Sequence, residues 1–283
     1  MSKLPDETAI GQVELTVRDL GRSVDFYEGA LGLEPLARNG SEATLGAGGE
    51  ALLVLHGDPD APQRPRATTG LFHFAILVPS RSDLAASLTR LAERRWPLSG
   101  ASDHLVSEAL YLSDPDGIGI EIYRDRPRSE WPREDGTIRM ATIPLDLDSV
   151  LAEAGGRAPT GAVPAGTRIG HVHLNVADLD ASERFWCDVV GFDVTVRGYP
   201  GALFVSAGGY HHHLGLNTWN GPGSPPPPEG AIGLRRFSLE VPDPAAAEAR
   251  ERLAAAGVEV EARNGAGVVA RDPARIAVEI AGA

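Results

Sequence analysis

Eight polar side chains fall at matching places in four similar stretches of the chain: Gln12 and His56, His73 and Glu121, His171 and Asn217, Arg236 and Glu279. The members of each pair lie 44, 48, 46 and 43 positions apart. Val, Ile or Leu usually fill the middle of a sheet, so polar residues repeated in register need a reason. A lone histidine on a strand is more often structural than functional, and it is the repetition that shifts the balance. Imidazole and carboxylate are natural ligands of a divalent first-row metal. Two neutral imidazoles and one carboxylate on one face leave three coordination positions open, the arrangement of non-haem Fe(II) oxygenases.

The elements that must position these residues are legible as a fourfold repeat. Gln12-Val-Glu-Leu-Thr-Val, His73-Phe-Ala-Ile-Leu-Val, His171-Val-His-Leu-Asn-Val and Arg236-Phe-Ser-Leu-Glu-Val each read as a short strand. A helix follows each one. Asp19 or Ser23, Ser80 to Asp83, Asp178 or Asp180, and Asp243-Pro244 stand at the helix starts. Val24, Tyr27 and Leu31 have the spacing of a buried face, as do Leu84, Leu88 and Leu91, then Phe185, Trp186 and Val189, then Ala249, Leu253 and Ala256. Gly32, Gly191 and Gly257 sit where helices end. Strand signals then resume, closing on Leu52–His56, Ile118–Glu121, Leu214–Asn217 and Ile276–Glu279.

The expected fold is therefore α+β: four βαβββ modules forming two open β-barrel cups, with helices outside. Residues 1–124 make a first domain of two modules and 167–283 a second. Residues 125–166, rich in Pro, Gly and charge, join them and carry a short helix near Ser149–Ala154. Gly221–Gly230, with four prolines from Pro225, reads as a stiff connection within the second half.

Which modules share a cup decides the chemistry. If the second and third pair, one cup holds His73, Glu121 and His171. The other then holds Gln12, Arg236 and Glu279, with Arg236 repelling a metal and pairing with Glu279. If modules pair in chain order, the first cup offers Gln12, His56, His73 and Glu121, and the second only His171 and Glu279 beside Arg236.

Two further runs carry more information. One is His104-Leu-Val-Ser-Glu-Ala-Leu-Tyr111-Leu-Ser-Asp114-Pro-Asp-Gly117-Ile-Gly-Ile-Glu121. It resembles the signature of extradiol ring-cleavage dioxygenases, in which a histidine, a tyrosine and Asp-Pro-x-Gly precede a ligand glutamate. Ser102 and Ile118 depart from that pattern without touching a chemical group. The other is Tyr210-His211-His212-His213-Leu-Gly-Leu-Asn-Thr-Trp219, similar to the His-His-x-Leu-Ala segment of the same enzymes. Over nearly its full length the chain resembles the two-domain catechol 2,3-dioxygenases of the Bacillus type, in the vicinal oxygen chelate (glyoxalase/bleomycin resistance/dioxygenase) superfamily.

The resemblance implies Fe(II), with Mn(II) the alternative, held by His73, Glu121 and His171. It implies an aromatic diol and O2 as substrates, and meta cleavage beside the diol. His212, or its neighbour His213, would be the acid/base. His104 and Tyr111 would hydrogen-bond the substrate oxygens. The Leu-Gly register favours His212, whereas strand alternation from Asn217 turns His211 and His213 inward. Two other readings stay open: a glyoxalase I-like lyase or isomerase using Gln12, His56, His73 and Glu121, and a metal-free protein that sequesters an antibiotic.

Bulk properties fit a small-molecule enzyme. Of 283 residues, 42% are hydrophobic and 23% charged, enough to bury a sizeable core. The net charge of −13 excludes nucleic acid as an expected partner, because phosphate binding needs a basic stripe. No apolar run reaches the roughly 20 residues that span a bilayer, and the first ten residues lack the pattern of a signal peptide. Cys187 is the only cysteine, so neither a disulfide framework nor a Cys-based metal site is expected. The expected location is the cytoplasm. Related proteins often associate, which leaves a homo-oligomer open; the sequence does not set the oligomeric state.

Overall fold

A computed structural model describes residues 3–154, 161–263 and 267–282. Within them, βαβββ modules follow one another along the chain. The first runs β1 (Ala9–Val17), α1 (Leu20–Gly29), β2 (Glu34–Asn39), β3 (Glu42–Ala47) and β4 (Glu50–Gly57). The second runs β5 (Gly70–Leu77), α2 (Arg81–Glu93), β6 (Gly100–Asp103), β7 (Ser107–Ser113) and β8 (Gly119–Asp125). The joining stretch holds β9 (Arg133–Glu134), β10 (Thr137–Ile138), β11 (Ile143–Pro144) and α3 (Leu147–Ala152). The third module runs β12 (Arg168–Asn175), α4 (Leu179–Glu183), β13 (Asp193–Val196), β14 (Ala202–Ser206) and β15 (Leu214–Asn217). The fourth runs β16 (Gly233–Val241), α5 (Asp243–Ala255), β17 (Val260–Ala262), β18 (Val268–Arg271) and β19 (Ala277–Gly282). The α+β class and the module order are as the sequence predicts.

In the second, third and fourth modules the first strand pairs in parallel with the last. A parallel pair needs a crossover connection, and the helix supplies it. The remaining strands follow antiparallel, so the order is first, fourth, third, second.

The chain divides into two compact units. One comprises Thr16–Ala61 and His73–Ile169; the other comprises Met1–Leu15, Pro62–Phe72 and Gly170–Ala283. The division is not linear. The start of β1 belongs with the fourth module, where the Gln12 N–H donates to Ser238 Oγ at 2.8 Å. The described residues of the joining stretch, 125–154 and 161–166, fall in the first-named unit. There Arg81 reaches the Ser149 carbonyl and hydroxyl on α3 and also Glu108 on β7.

Helix starts resolve the alternatives left by the sequence. Asp19, Ser80, Asp146 and Asp178 accept backbone N–H bonds as N-caps, whereas Ser23 lies buried inside α1. α5 begins after Pro242 with no side-chain cap. Two inward positions need correcting. Ala256 is the C-cap of α5, beyond the last buried turn, and is exposed. Val189 is only half-buried, and Val190 takes the core position. The chain after α4 forms a π-helical turn over Arg184–Val190, where the Gly191 N–H bonds the Trp186 carbonyl. The i→i+5 ladder inserts an extra residue, so a 3.6-residue period misplaces the last inward side chain by one.

Candidate metal centre

The strands begin earlier than the motifs suggest, and they do so uniformly. Gln12, His73, His171 and Arg236 are each the fourth residue of their strands β1, β5, β12 and β16. Glu121 and Glu279 are each the third residue of β8 and β19. For the opening residues the repeat found by spacing is thus a repeat of strand position; among the closing ones Asn217 is the fourth residue of β15 and His56 the seventh of β4.

In the unit holding the second module, His73 and Glu121 are both buried, and His73 Nε2 lies 3.0 Å from Glu121 Oε2. Ala75 is the register partner of Glu121 on β5, so His73, two residues earlier, shares the carboxylate's face. Tyr111 is the direct antiparallel partner of Glu121, and its ring packs 5.6 Å from that of His73. Ala75, Leu77, Ala109 and Tyr123 form an apolar floor against which Tyr111 packs.

His104 stands in the connection between β6 and β7. Asp103 Oδ1 accepts the Leu105 N–H, and Leu105 takes a left-handed φ of 70°, a tight local turn. His104 Nδ1 lies 2.7 Å from the Ala141 carbonyl, and its Nε2 lies 2.6 Å from the Tyr111 hydroxyl. A carbonyl only accepts, so Nδ1 carries the proton. In the neutral ring Nε2 therefore accepts from the Tyr111 O–H. The partner that fixes this tautomer comes from the joining stretch, to which the sequence analysis assigns no role at the site.

In the other unit, His171 is buried on β12, and its ring lies 4.1 Å from that of His212 and 6.2 Å from that of His211. The Nδ1 atoms of His211 and His212 are 2.8 Å apart. His213 is placed differently. Its Nδ1 accepts the Ala207 N–H at 3.2 Å and lies 3.0 Å from Ser206 Oγ, and its ring packs on Tyr210 and Phe192. Of the three histidines, His212 has the ring nearest His171.

The fourth module's counterpart is an ion pair. Arg236 Nε donates to Glu14 Oε1 at 2.7 Å and lies 3.3 Å from Glu279 Oε2. The Glu279 contact follows the sequence expectation, but the closer partner, Glu14, does not figure in it. His56 faces its cross-strand partner Glu42, with Nδ1 3.3 Å from Oε2. His173 is the functional-site neighbour that sequence reasoning passes over. It lies two residues beyond His171 on β12, and the His-x-His alternation is the signal that reveals it.

The residues fit a first-row metal on their chemistry. Two ligand atoms at a right angle, each about 2.1 Å from one ion, stand roughly 3 Å apart, and the His73–Glu121 spacing matches. A fold of βαβββ modules carrying a buried imidazole–carboxylate pair defines the class. The chain belongs to the Glyoxalase/Bleomycin resistance protein/Dioxygenase superfamily, whose model matches residues 9–122 and again 168–280.

Among individual relatives, the catechol-2,3-dioxygenase of Bacillus subtilis (strain 168) is 48% identical over 247 residues, 86% of each chain. Among solved structures, a putative dioxygenase from Bacillus subtilis subsp. subtilis str. 168 superposes with a TM-score of 0.71 at 16% identity, covering 100% of this chain and 86% of the other. Glyoxalase I from Zea mays gives 0.60 at 16% identity, covering 98% and 92%. At such identity these two structural likenesses speak for the fold alone. Among the described residues no helix is long and apolar enough to cross a membrane.

Proposed function

We propose that this chain is an extradiol dioxygenase, opening a catechol-type ring beside its two hydroxyls with both atoms of O2 entering the product. One observation carries the reading. A buried His73–Glu121 pair lies on the same sheet face as Tyr111, whose hydroxyl already has a histidine acceptor. The name of the 48% identical relative supports the substrate class.

His171 is the third ligand in this reading. It is buried, as His73 and Glu121 are, and a second imidazole is what that pair needs to make a two-histidine, one-carboxylate set. Fe(II) is the metal, with Mn(II) the alternative; when bound it supplies the redox chemistry with O2 that no side chain provides. The chain's own residues handle binding and protons. The Tyr111 proton points at His104 Nε2, so the Tyr111 oxygen accepts a substrate O–H while its own proton passes to His104. The Ala141 carbonyl stabilises the imidazolium so formed through Nδ1–H. His212, whose ring is tilted against that of His171 at 4.1 Å, is the second acid/base. The reaction belongs in the cytoplasm, with an aromatic diol and O2 as substrates.

The direct test is to load the protein with Fe(II) under anaerobic conditions, add catechol and admit air. A yellow ring-fission product is expected. Stoichiometric bound iron with no product from any simple catechol would end the proposal.

A further inference from the structure

Among the described residues, two aromatic rings are exposed, Phe72 at 43% and Trp219 at 45%. They touch each other. Their centroids are 5.2 Å apart and nearly perpendicular, and each also lies 5.2 Å from the buried ring of His173. Exposed apolar side chains scattered singly need no explanation, whereas paired aromatic surface marks a binding place.

The indole is also held in place. Its Nε1 donates to the Pro200 carbonyl at 3.0 Å, and the Trp219 backbone N–H donates to Asn217 Oδ1 at 3.0 Å. Gly201, at φ +67°, leaves room for the indole, since a Cβ there would stand 3.2 Å from the ring. A large apolar surface fixed rigidly in water loses little entropy when a ligand covers it.

The cluster continues inward through ring contacts. His173 lies 5.7 Å from Phe204, Phe204 5.0 Å from His212, and His212 4.1 Å from His171. One continuous aromatic wall thus joins the exposed pair to the proposed metal ligand.

We propose that Phe72, Trp219 and His173 form an aromatic clamp for a flat apolar substituent on the catechol, and that an aryl-bearing catechol is preferred to the bare diol. This rests on the dioxygenase reading above. The occupant follows from the chemistry of the wall. Perpendicular rings with centroids about 5 Å apart offer both an edge and a face to a third ring, a geometry that adds affinity beyond area alone. Continuity with His171 argues for a substituent of the bound diol over a separate partner.

The test compares a phenyl-substituted catechol with bare catechol on Fe(II)-loaded wild type, Trp219→Ala and Phe72→Leu. The wild-type kcat/KM ratio should favour the phenyl compound, and each variant should lower that ratio at least about tenfold while keeping its metal. A ratio within twofold of wild type in both variants overturns the clamp. So does sedimentation showing that the variants have lost a dimer without any change in ratio. Anaerobic calorimetry separates this proposal from the dioxygenase reading. If no catechol is cleaved yet the phenyl compound binds more tightly than catechol and Trp219→Ala abolishes the difference, the clamp stands and the dioxygenase reading falls. Equal affinities for the two ligands in wild type overturn the clamp.

Discussion

Tyr111 and Glu121 are direct partners across antiparallel strands, so the hydroxyl that donates to His104 and the carboxylate that meets His73 lie side by side on one face. They lie ten positions apart in sequence, and the Asp-Pro-Asp-Gly turn between them sets the register. Asp114 holds that turn, accepting the Asp116 and Ile118 N–H groups on Oδ1 and the Tyr27 hydroxyl on Oδ2.

Metal content should follow the proposed ligand set. Glu121→Gln, His73→Ala and His171→Ala should each lose affinity by more than the roughly 10–100-fold typical of changes around a metal site's outer shell. Gln12→Ala and His56→Ala should keep the ion. Metal per chain after dialysis measures this, and the opposite pattern would favour the glyoxalase-type set.

Tyr111→Phe should retain metal and fold, because its ring still packs on the apolar floor, while kcat falls about 10²- to 10⁴-fold. His104→Gln should act in the same direction, since it removes the acceptor of the Tyr111 proton. Steady-state oxygen uptake with metal analysis on the same samples checks both. Unchanged kcat in Tyr111→Phe would remove the tyrosine from the mechanism.

Two buried carboxyls should make stability fall as pH rises through the acid range. Burial raises Asp114 to about 6 and Asp272 to about 7, against the opposing effect of backbone N–H bonds from Ile118 and Ile276 respectively. The folded pKa values lie above the ordinary 3.8, so between pH 4 and 7 the folded chain binds more protons than the unfolded chain and loses stability with each step upward. Asp272→Asn keeps an oxygen for the Ile276 N–H. Relative to wild type, it should gain stability on the order of a few kcal/mol between pH 4.5 and 7.5, at about 1.4 kcal/mol per pKa unit. Urea unfolding at the two pH values measures this, and a pH-independent difference would refute it.

Glu108 works in the opposite sense. Burial alone would raise its pKa, but hydrogen bonds from Arg81 and Arg124 and their charges outweigh that and hold it below the usual range. Arg126 is 3.3 Å away as a third guanidinium. Glu108→Gln should therefore cost about 3–5 kcal/mol at neutral pH, the range for breaking a buried charge pair. In wild type this contribution is present above the unfolded pKa and is lost as pH falls through the lowered folded value. Denaturant midpoints with unchanged m-values would show it, and a cost under 1 kcal/mol would mean that the cluster is solvated.

Much of the fold was legible because it depends on local periodicity. Alternation in Phe74, Ile76 and Val78, helical spacing in Leu84, Leu88 and Leu91, and caps at Asp19 and Ser80 all act within a few residues. The π-helical turn escaped because nothing in Arg184–Val190 distinguishes an i→i+5 ladder from an i→i+4 one before the helix packs.

By itself, the sequence determined which residues could be ligands, since residue type sets donor chemistry and the repeat sets the spacing. It also determined that Arg236 would neutralise rather than coordinate, because a guanidinium has no lone pair to give. Only the tertiary structure decided which side chains meet. Ala141 fixes the His104 tautomer from 37 residues away, Glu14 reaches Arg236 across 222, and Phe72 meets Trp219 across a separation that no local pattern encodes. Such contacts arise from chain packing, where the partner is whichever group the fold brings within about 3–5 Å.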